Sequence, residues 1–138
     1  MIYQEEIKIL TLGFCDVYNI TDEINKIVAK SKIKEGIAVI SVIGSTAGLS
    51  TIEAEPNLIK DFKEFWEKLI PQDKNYHHNK TWGDGNGFSH LRSSLLGTSL
   101  SFPVSGGEVI LGAWQQIIFV DFDNRSRERT AVVKVIGE

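Results

Sequence analysis

The sequence predicts an α+β fold: antiparallel β-sheet, sandwich-like, with two main helices and a C-terminal β-meander. Three observations carry that expectation. Two stretches place apolar residues at helical spacing, Ile24, Ile27 and Val28 in the first and Leu58, Phe62, Phe65, Trp66 and Leu69 in the second. Strand-like runs flank them, three of these crowded into the C-terminal part and separated by turn residues. Between Arg92 and Asp121 the only charged residue is Glu108, although Ser, Thr, Gly and Gln are frequent and Pro103 interrupts the stretch. That pattern fits strands covered on both faces, by a helix layer on one side and a sister subunit on the other.

The elements follow in order. Residues 2–10 alternate Ile with Glu and Lys, as a half-exposed strand does. Thr21 suits a helix N-cap, with Asp22 and Glu23 in the first turn. Lys30, Lys32 and Lys34 load the other end and Gly36 suits a C′ position, so the helix spans about 21–34. Residues 37–43 read as a buried strand ending at Gly44. Pro56 opens the second helix and Pro71 stops it; its aromatic stripe reads as core. A short helix over Ser89–Leu96 is capped by Gly97. Strands are expected at 98–104, 108–120 and 127–136, with hairpin turns at Ser105-Gly106-Gly107 and Asp123-Asn124-Arg125.

The 138 residues are 42% hydrophobic and 24% charged, enough to bury a core, which excludes a disordered or collagen-like chain. No repeat or Pro/Gly-rich linker divides them, so residues 1–138 are expected to form a single domain. Fifteen Lys and Arg against eighteen Asp and Glu give a net charge of −3 and no dense basic cluster, which argues against nucleic acid as a partner. The longest apolar run, Ile37 to Ile43, is too short to cross a bilayer, and the acidic N-terminus does not resemble a signal peptide. Cys15 is the only cysteine and has no partner for a disulfide. A cytoplasmic protein without membrane contact is expected.

Chemistry-bearing residues concentrate between Tyr76 and His90. His77, His78 and His90 are all the histidines of the chain, and Asp84 and Asn86 alternate with Gly83, Gly85 and Gly87. Glycines at every second position allow positive φ and close backbone approach, so successive N–H groups can face an anion. Ser89 and His90 at a helix start add a dipole that favours phosphate and a neutral imidazole. The segment therefore points to a phosphate or metal–phosphate site. It is not a P-loop, because no Gly-Lys-Ser/Thr follows. His78 and His90 are expected to come within reach of a shared ligand with Asp84 beside them, and His77 to point elsewhere. Glu53 and Glu55, two apart, form a second pair of candidate carboxylates. Cys15 reads as a small buried hydrophobe. Gln115 and Gln116, in an apolar strand, either line a polar pocket or bond across a subunit contact.

The run Trp82-Gly-Asp-Gly-Asn-Gly-Phe-Ser-His-Leu-Arg-Ser-Ser-Leu-Leu-Gly97 resembles the YjbQ family, as do residues 45–56, 111–116 and Val120-Asp-Phe-Asp123. The resemblance implies an α+β homotrimer and a thiamine-phosphate synthase activity, joining a hydroxymethylpyrimidine diphosphate to a thiazole phosphate with release of pyrophosphate. It implies a site at His78, Asp84, Asn86 and His90, with Glu53 beside them. Many members have His where this chain has Gly44 and Phe88, which leaves two fewer imidazoles. Under this activity the Gly83, Gly85 and Gly87 backbone, Asn86, Ser89 and Arg92 would take phosphates, and His78 or His90 would supply a proton with Asp84 beside them. Asp84 and Glu53 suit Mg²⁺; His78 and His90 with a carboxylate suit Zn²⁺. The alternative is a trimeric metal- or phosphometabolite-binding protein without significant catalysis.

Overall fold

A computed structural model describes residues 1–138. In chain order the elements are β1 (Ile2–Thr11), β2 (Asp16–Asn19), α1 (Thr21–Ser31), β3 (Glu35–Val42), β4 (Ala47–Ile52), α2 (Pro56–Leu69), α3 (Asn79–Trp82), α4 (Gly87–Leu96), β5 (Ser99–Ser105), β6 (Glu108–Val109), β7 (Gln116–Asp121) and β8 (Arg127–Gly137). They form two antiparallel sheets. One has five strands in the order β1-β8-β3-β5-β6, the other three in the order β2-β7-β4. The α+β class and the antiparallel sheets agree with the sequence.

Period-two alternation builds the larger sheet. Ala38, Ile40 and Val42 of β3, Phe102 and Val104 of β5, and Ala131, Val133 and Val135 of β8 face inward. They meet α1 through Ile24, Ile27 and Val28, and the smaller sheet through Leu49, Ile117 and Phe119. The other face of the smaller sheet, Ile118 and Val120, forms a second core with Cys15, Trp66 and Phe122. β7 is therefore a middle-layer strand, apolar at successive positions because both its faces are covered. The second cover is the five-stranded sheet of the same chain rather than a sister subunit. What stays bare is the outer face of that larger sheet, where Ile37 and Ile136 are 52% and 46% exposed beside Ser99, Ser101 and Pro103.

Several boundaries differ from expectation for local reasons. α1 ends at Lys32, whose φ of 65° makes it the left-handed cap. Gly36 lies inside β3 instead, where a Cβ would meet the Ile136 carbonyl oxygen at 2.0 Å. Ile20 is the N-cap of α1; the Thr21 hydroxyl donates to Asn19 Oδ1 and accepts from the Ile117 N–H, tying α1 to β7. The Gly106-Gly107 turn has φ of 61° and 84°, the two-residue hairpin geometry that joins β5 to β6. The C-terminal strands, however, do not run on as one meander. After β6 the chain leaves the larger sheet, pairs in the smaller one as β7, and returns as β8 between β1 and β3. Asp123-Asn124-Arg125 is thus a crossover between sheets. A strand apolar on both faces has no place beside β8 in a sheet whose outer face is bare, and moves to the middle layer.

α2 is less buried than its stripe suggests. Trp66 is its one fully buried side chain, edge-on to Phe122 with ring centroids 4.9 Å apart, whereas Phe65 is 53% exposed. No helix is long and apolar enough to cross a membrane. Trp66→Ala is expected to lose about 3–5 kcal/mol of unfolding free energy, the usual cost of emptying a large aromatic site. Phe65→Ser should stay within about 0.5 kcal/mol. Urea denaturation of both variants measures the contrast.

Candidate functional site

The segment from Tyr76 to His90 folds back on itself through two left-handed glycines, Gly83 and Gly85, with φ of 71° and 66°. Gly87 closes the fold. Its N–H donates to Asn79 Oδ1 at 3.1 Å, and a Cβ there would meet Tyr76 Cβ at 2.7 Å, so only glycine lets the start of α4 lie against residues 76–79. His78, the N-cap of α3, and His90, in the first turn of α4, consequently face each other with ring centroids 4.4 Å apart. His77 is exposed.

The pair borders a cleft of about 360 Å³. Trp82, Asp84 and Asn86 line its helical side, and Arg127 and Arg129 of β8 line the sheet side together with the Gly44–Thr46 loop. Beneath lies a buried ionic network. Arg129 Nε donates to Asp121 Oδ2 at 2.7 Å, and its Nη2 donates to Asp121 Oδ1 at 2.8 Å and to Thr46 Oγ1 at 2.6 Å. Arg127 Nε donates to Asp123 Oδ2 at 2.5 Å; that is its guanidinium's one bond within the chain, so both Nη groups stay free. Asn86 Nδ2 donates to Asp123 Oδ1 at 3.2 Å. Both aspartates are fully buried. Burial pushes Asp123 upward, but the Asn124 N–H, the Asn86 amide and Arg127 outweigh it and hold the carboxyl below its ordinary range. His90 is lowered, first by burial and then by the neighbouring His78 imidazole, against the opposing pull of Asp123 and Asp84.

With that geometry in place, residues 5–138 match the family described as UPF0047 protein, YjbQ-like. The chain belongs to this family. A UPF0047 protein from Archaeoglobus fulgidus is 34% identical over 95% of this chain and 99% of its own length. Among solved structures, a YbjQ-like protein from Sulfolobus solfataricus is 33% identical with a TM-score of 0.95, covering 100% of this chain and 99% of its own. A hypothetical protein from Aeropyrum pernix is 30% identical with a TM-score of 0.90, over 98% of each chain.

In this YjbQ-like chain the candidate residues divide. His78, His90, Asp84 and Asn86 gather in one cleft, Asp84 exposed at its rim and Asn86 buried in its wall. Asn86 Oδ1 is buried without a hydrogen-bond partner, and so is His78 Nδ1. Ser89 does not reach the cleft surface: it is fully buried and its hydroxyl donates to the Asn86 carbonyl. Arg92 is also withdrawn. Its guanidinium donates to the Ile70 carbonyl and to Glu67 Oε2, and lies over the buried Phe88 ring at 5.0 Å from the centroid. The Gly87 N–H is spent on Asn79, so of the glycine frame Gly83 and Gly85 keep the exposed turn. Glu53 lies apart, in a different cleft with Asn19, Trp114 and Gln116. Glu55 caps α2, accepting from the Asn57 and Leu58 N–H groups. Gln115 donates to Thr51 Oγ1, and Gln116 accepts from Asn19.

No three His, Cys, Asp or Glu side chains converge within the chain as a metal shell. Two imidazoles fall short of the zinc donor set, so these residues do not fit a zinc ion. Position 88 points into the protein body, since Phe88 is fully buried, whereas Gly44 is on the cleft wall, where a Cβ would meet Arg129 Nη1 at 3.0 Å. Sequence reading missed Arg127, Arg129 and Thr46. One signal was available: two acids, Asp121 and Asp123, at the end of an apolar run need buried cations, and Arg125, Arg127 and Arg129 follow at the two-residue spacing that puts strand residues on one face.

His90 is expected to titrate below the ordinary imidazole value of 6.5, read from its Cε1 proton shift by NMR. The unfolded chain then takes this proton at higher pH than the folded one. The stability tied to neutral His90 is full above 6.5 and declines as pH falls from there through the lower folded value.

Proposed function

We propose that the chain is a thiamine-phosphate synthase-like transferase, joining a hydroxymethylpyrimidine diphosphate to a thiazole phosphate with release of pyrophosphate. The family resemblance supplies the substrates. The observation that carries the chemistry is the His78–His90 pair at 4.4 Å sharing one cleft with the free Nη groups of Arg127.

In this reading the bond from the pyrimidine methylene carbon to the diphosphate oxygen breaks with its electron pair leaving on oxygen. The thiazole nitrogen lone pair forms the new C–N bond. Charge that grows on the departing pyrophosphate is met by Arg127 Nη donors, fixed beforehand by Asp123. The negative charge of a bound diphosphate favours protonation of the otherwise neutral imidazole pair, and His90 or His78 in that form gives a proton to the leaving oxygen. Holding the nitrogen in line with the breaking bond lowers the barrier further.

One observation favours the binding-only alternative. Arg129 Nε and Nη2 are engaged by Asp121 and Thr46, and Arg127 is already charge-paired, so both cations at the cleft are partly neutralised before a diphosphate arrives. Turnover separates the two readings. Purified protein given both substrates should form thiamine phosphate, and His90→Ala should lower the rate by roughly 100-fold or more, the usual weight of a positioned acid–base group. Equal rates would remove His90 from the chemistry; no product from the unaltered protein would reject the enzyme.

The same reading includes a homotrimer. Its support is the bare outer face of the larger sheet, where Ile37, Ile136, Ser99, Ser101 and Pro103 lie together beside Lys134. A stable contact there should bury more than about 1,000 Å² per pair. Light scattering is expected to report a trimer; a stable monomer at micromolar concentration would refute it.

A further inference from the structure

Two sequence features that the chemistry above leaves unused, Trp114-Gln115-Gln116 and the Glu53–Glu55 pair, meet at one place. They border a cleft of about 370 Å³, together with Asn19 and the methyl groups of Ala54 and Ala113. Strand pairing brings them together. Ile52 of β4 lies opposite Gln116 of β7, so Glu53 leaves one strand where Gln115 enters the other.

The turn that carries Trp114 is tied down by three bonds. The Gln115 N–H donates to the Gly112 carbonyl at 3.0 Å and closes residues 112–115 into a tight turn. The Gln115 side chain repeats the closure, accepting from the Gly112 N–H at 2.9 Å, and its Nε2 donates to Thr51 Oγ1 at 3.1 Å. Trp114 stands at a central position of this turn, where Gly, Asn or Asp is usual, and its side chain is 76% exposed. A fixed backbone thus presents a large aromatic face to solvent.

Charge decides what that face can meet. Each of the other three clefts carries lysine or arginine, and this one carries neither. Both Glu55 oxygens are spent on the Asn57 and Leu58 N–H groups at the start of α2. Glu53 is held through its backbone carbonyl, which accepts from the Glu55 N–H at 2.8 Å, while its carboxylate has no hydrogen bond or ion pair within the chain. A carboxylate without a counter-ion beside an exposed indole is the pairing that holds an organic cation.

The count of acceptors narrows the cation. The Asn19 amide oxygen already accepts from Thr21, and the Gln116 amide oxygen from Asn19. Glu53 is therefore the one side chain at the cleft whose acceptors are all free. A primary ammonium brings three N–H donors to it, more than one carboxylate at an open cleft satisfies well. A quaternary nitrogen brings none, and its alkyl groups match Ala54, Ala113 and the indole.

We infer that the Trp114–Glu53 cleft binds a small quaternary ammonium ion, with the alkylated nitrogen over the Trp114 ring and its charge facing Glu53. The site is separate from the His78–His90 cleft and stands or falls apart from the synthase reading.

NMR titration of the intact, nitrogen-15-labelled protein with choline tests it. Two further probes are 3,3-dimethylbutan-1-ol, which has choline's shape with carbon in place of the charged nitrogen, and putrescine, a primary diamine. Choline is expected to bind with a Kd below about 10 mM. It should shift the Trp114 indole N–H signal, identified by its loss in Trp114→Leu, and leave that of Trp82 in place. The alcohol should bind about fivefold or more weaker, and putrescine about twofold or more weaker. Glu53→Gln and Trp114→Leu, both at exposed positions, should each weaken choline by roughly two- to fivefold, read from the choline methyl signal. No saturable binding, equal or tighter binding of the alcohol or of putrescine, a shift confined to Trp82, or binding unchanged by either variant would overturn the proposal.

Discussion

Asp121 and Asp123, both without solvent exposure, hold the parts of the site in one piece. Asp121 sits at the end of β7 and binds Arg129 of β8 through two parallel bonds, while Thr11 of β1 donates to its Oδ2 at 2.5 Å. Asp123 takes Thr46 from the loop before β4, Asn86 from the start of α4 and Arg127 from β8. Two carboxylates thus join both sheets, a loop and a helix. An ionised pair buried this deeply stabilises the fold only while it is whole; removing one partner leaves a bare charge and costs about 3–5 kcal/mol. The same network fixes the Arg127 guanidinium at the cleft wall through its Nε bond to Asp123.

Backbone strain supports the same crossover. Gly13, Phe14 and Cys15 follow one another in the left-handed region, with φ of 77°, 56° and 61°. The Phe14 N–H donates to the Asp123 carbonyl at 2.7 Å, and a Cβ at Gly13 would meet that oxygen at 2.6 Å. Two non-glycine residues persist in a sparsely populated conformation only where surrounding packing over-determines them. Cys15, buried against Trp66 and Phe122 with its thiol raised to about 11 by burial, is held there as a small apolar side chain rather than a nucleophile.

The two roles of arginine show how far local sequence reaches. Arg92, close to the glycine frame and His90, looked like the phosphate ligand, yet helix geometry turns it away, under Glu67 and the Ile70 carbonyl and over Phe88. The arginines that border the cleft come from β8, nearly forty residues downstream, because β8 inserts between β1 and β3 beside the crossover. Their partner Asp121 carries the register: it pairs with Asp16 of β2 on one side and Ala47 of β4 on the other. Glu53 shows the converse. It is close in sequence to the Thr46 loop but β4 carries it to the opposite end of the smaller sheet, away from both imidazoles.

The sequence by itself determined the α+β class, the helices α1 and α2, the Gly106-Gly107 hairpin and the meeting of His78 with His90. Each follows from interactions a few residues long: side-chain periodicity, caps, and glycines that permit a tight fold-back. Tertiary structure alone decided that β7 leaves the larger sheet, that Ser89 and Arg92 are buried, and that Arg127 and Arg129 replace them at the cleft. Those outcomes depend on which surface covers which, and on where two buried carboxylates find their cations. That is a choice among distant pairings of similar local cost, settled by desolvation over the whole core rather than by any neighbour in the chain.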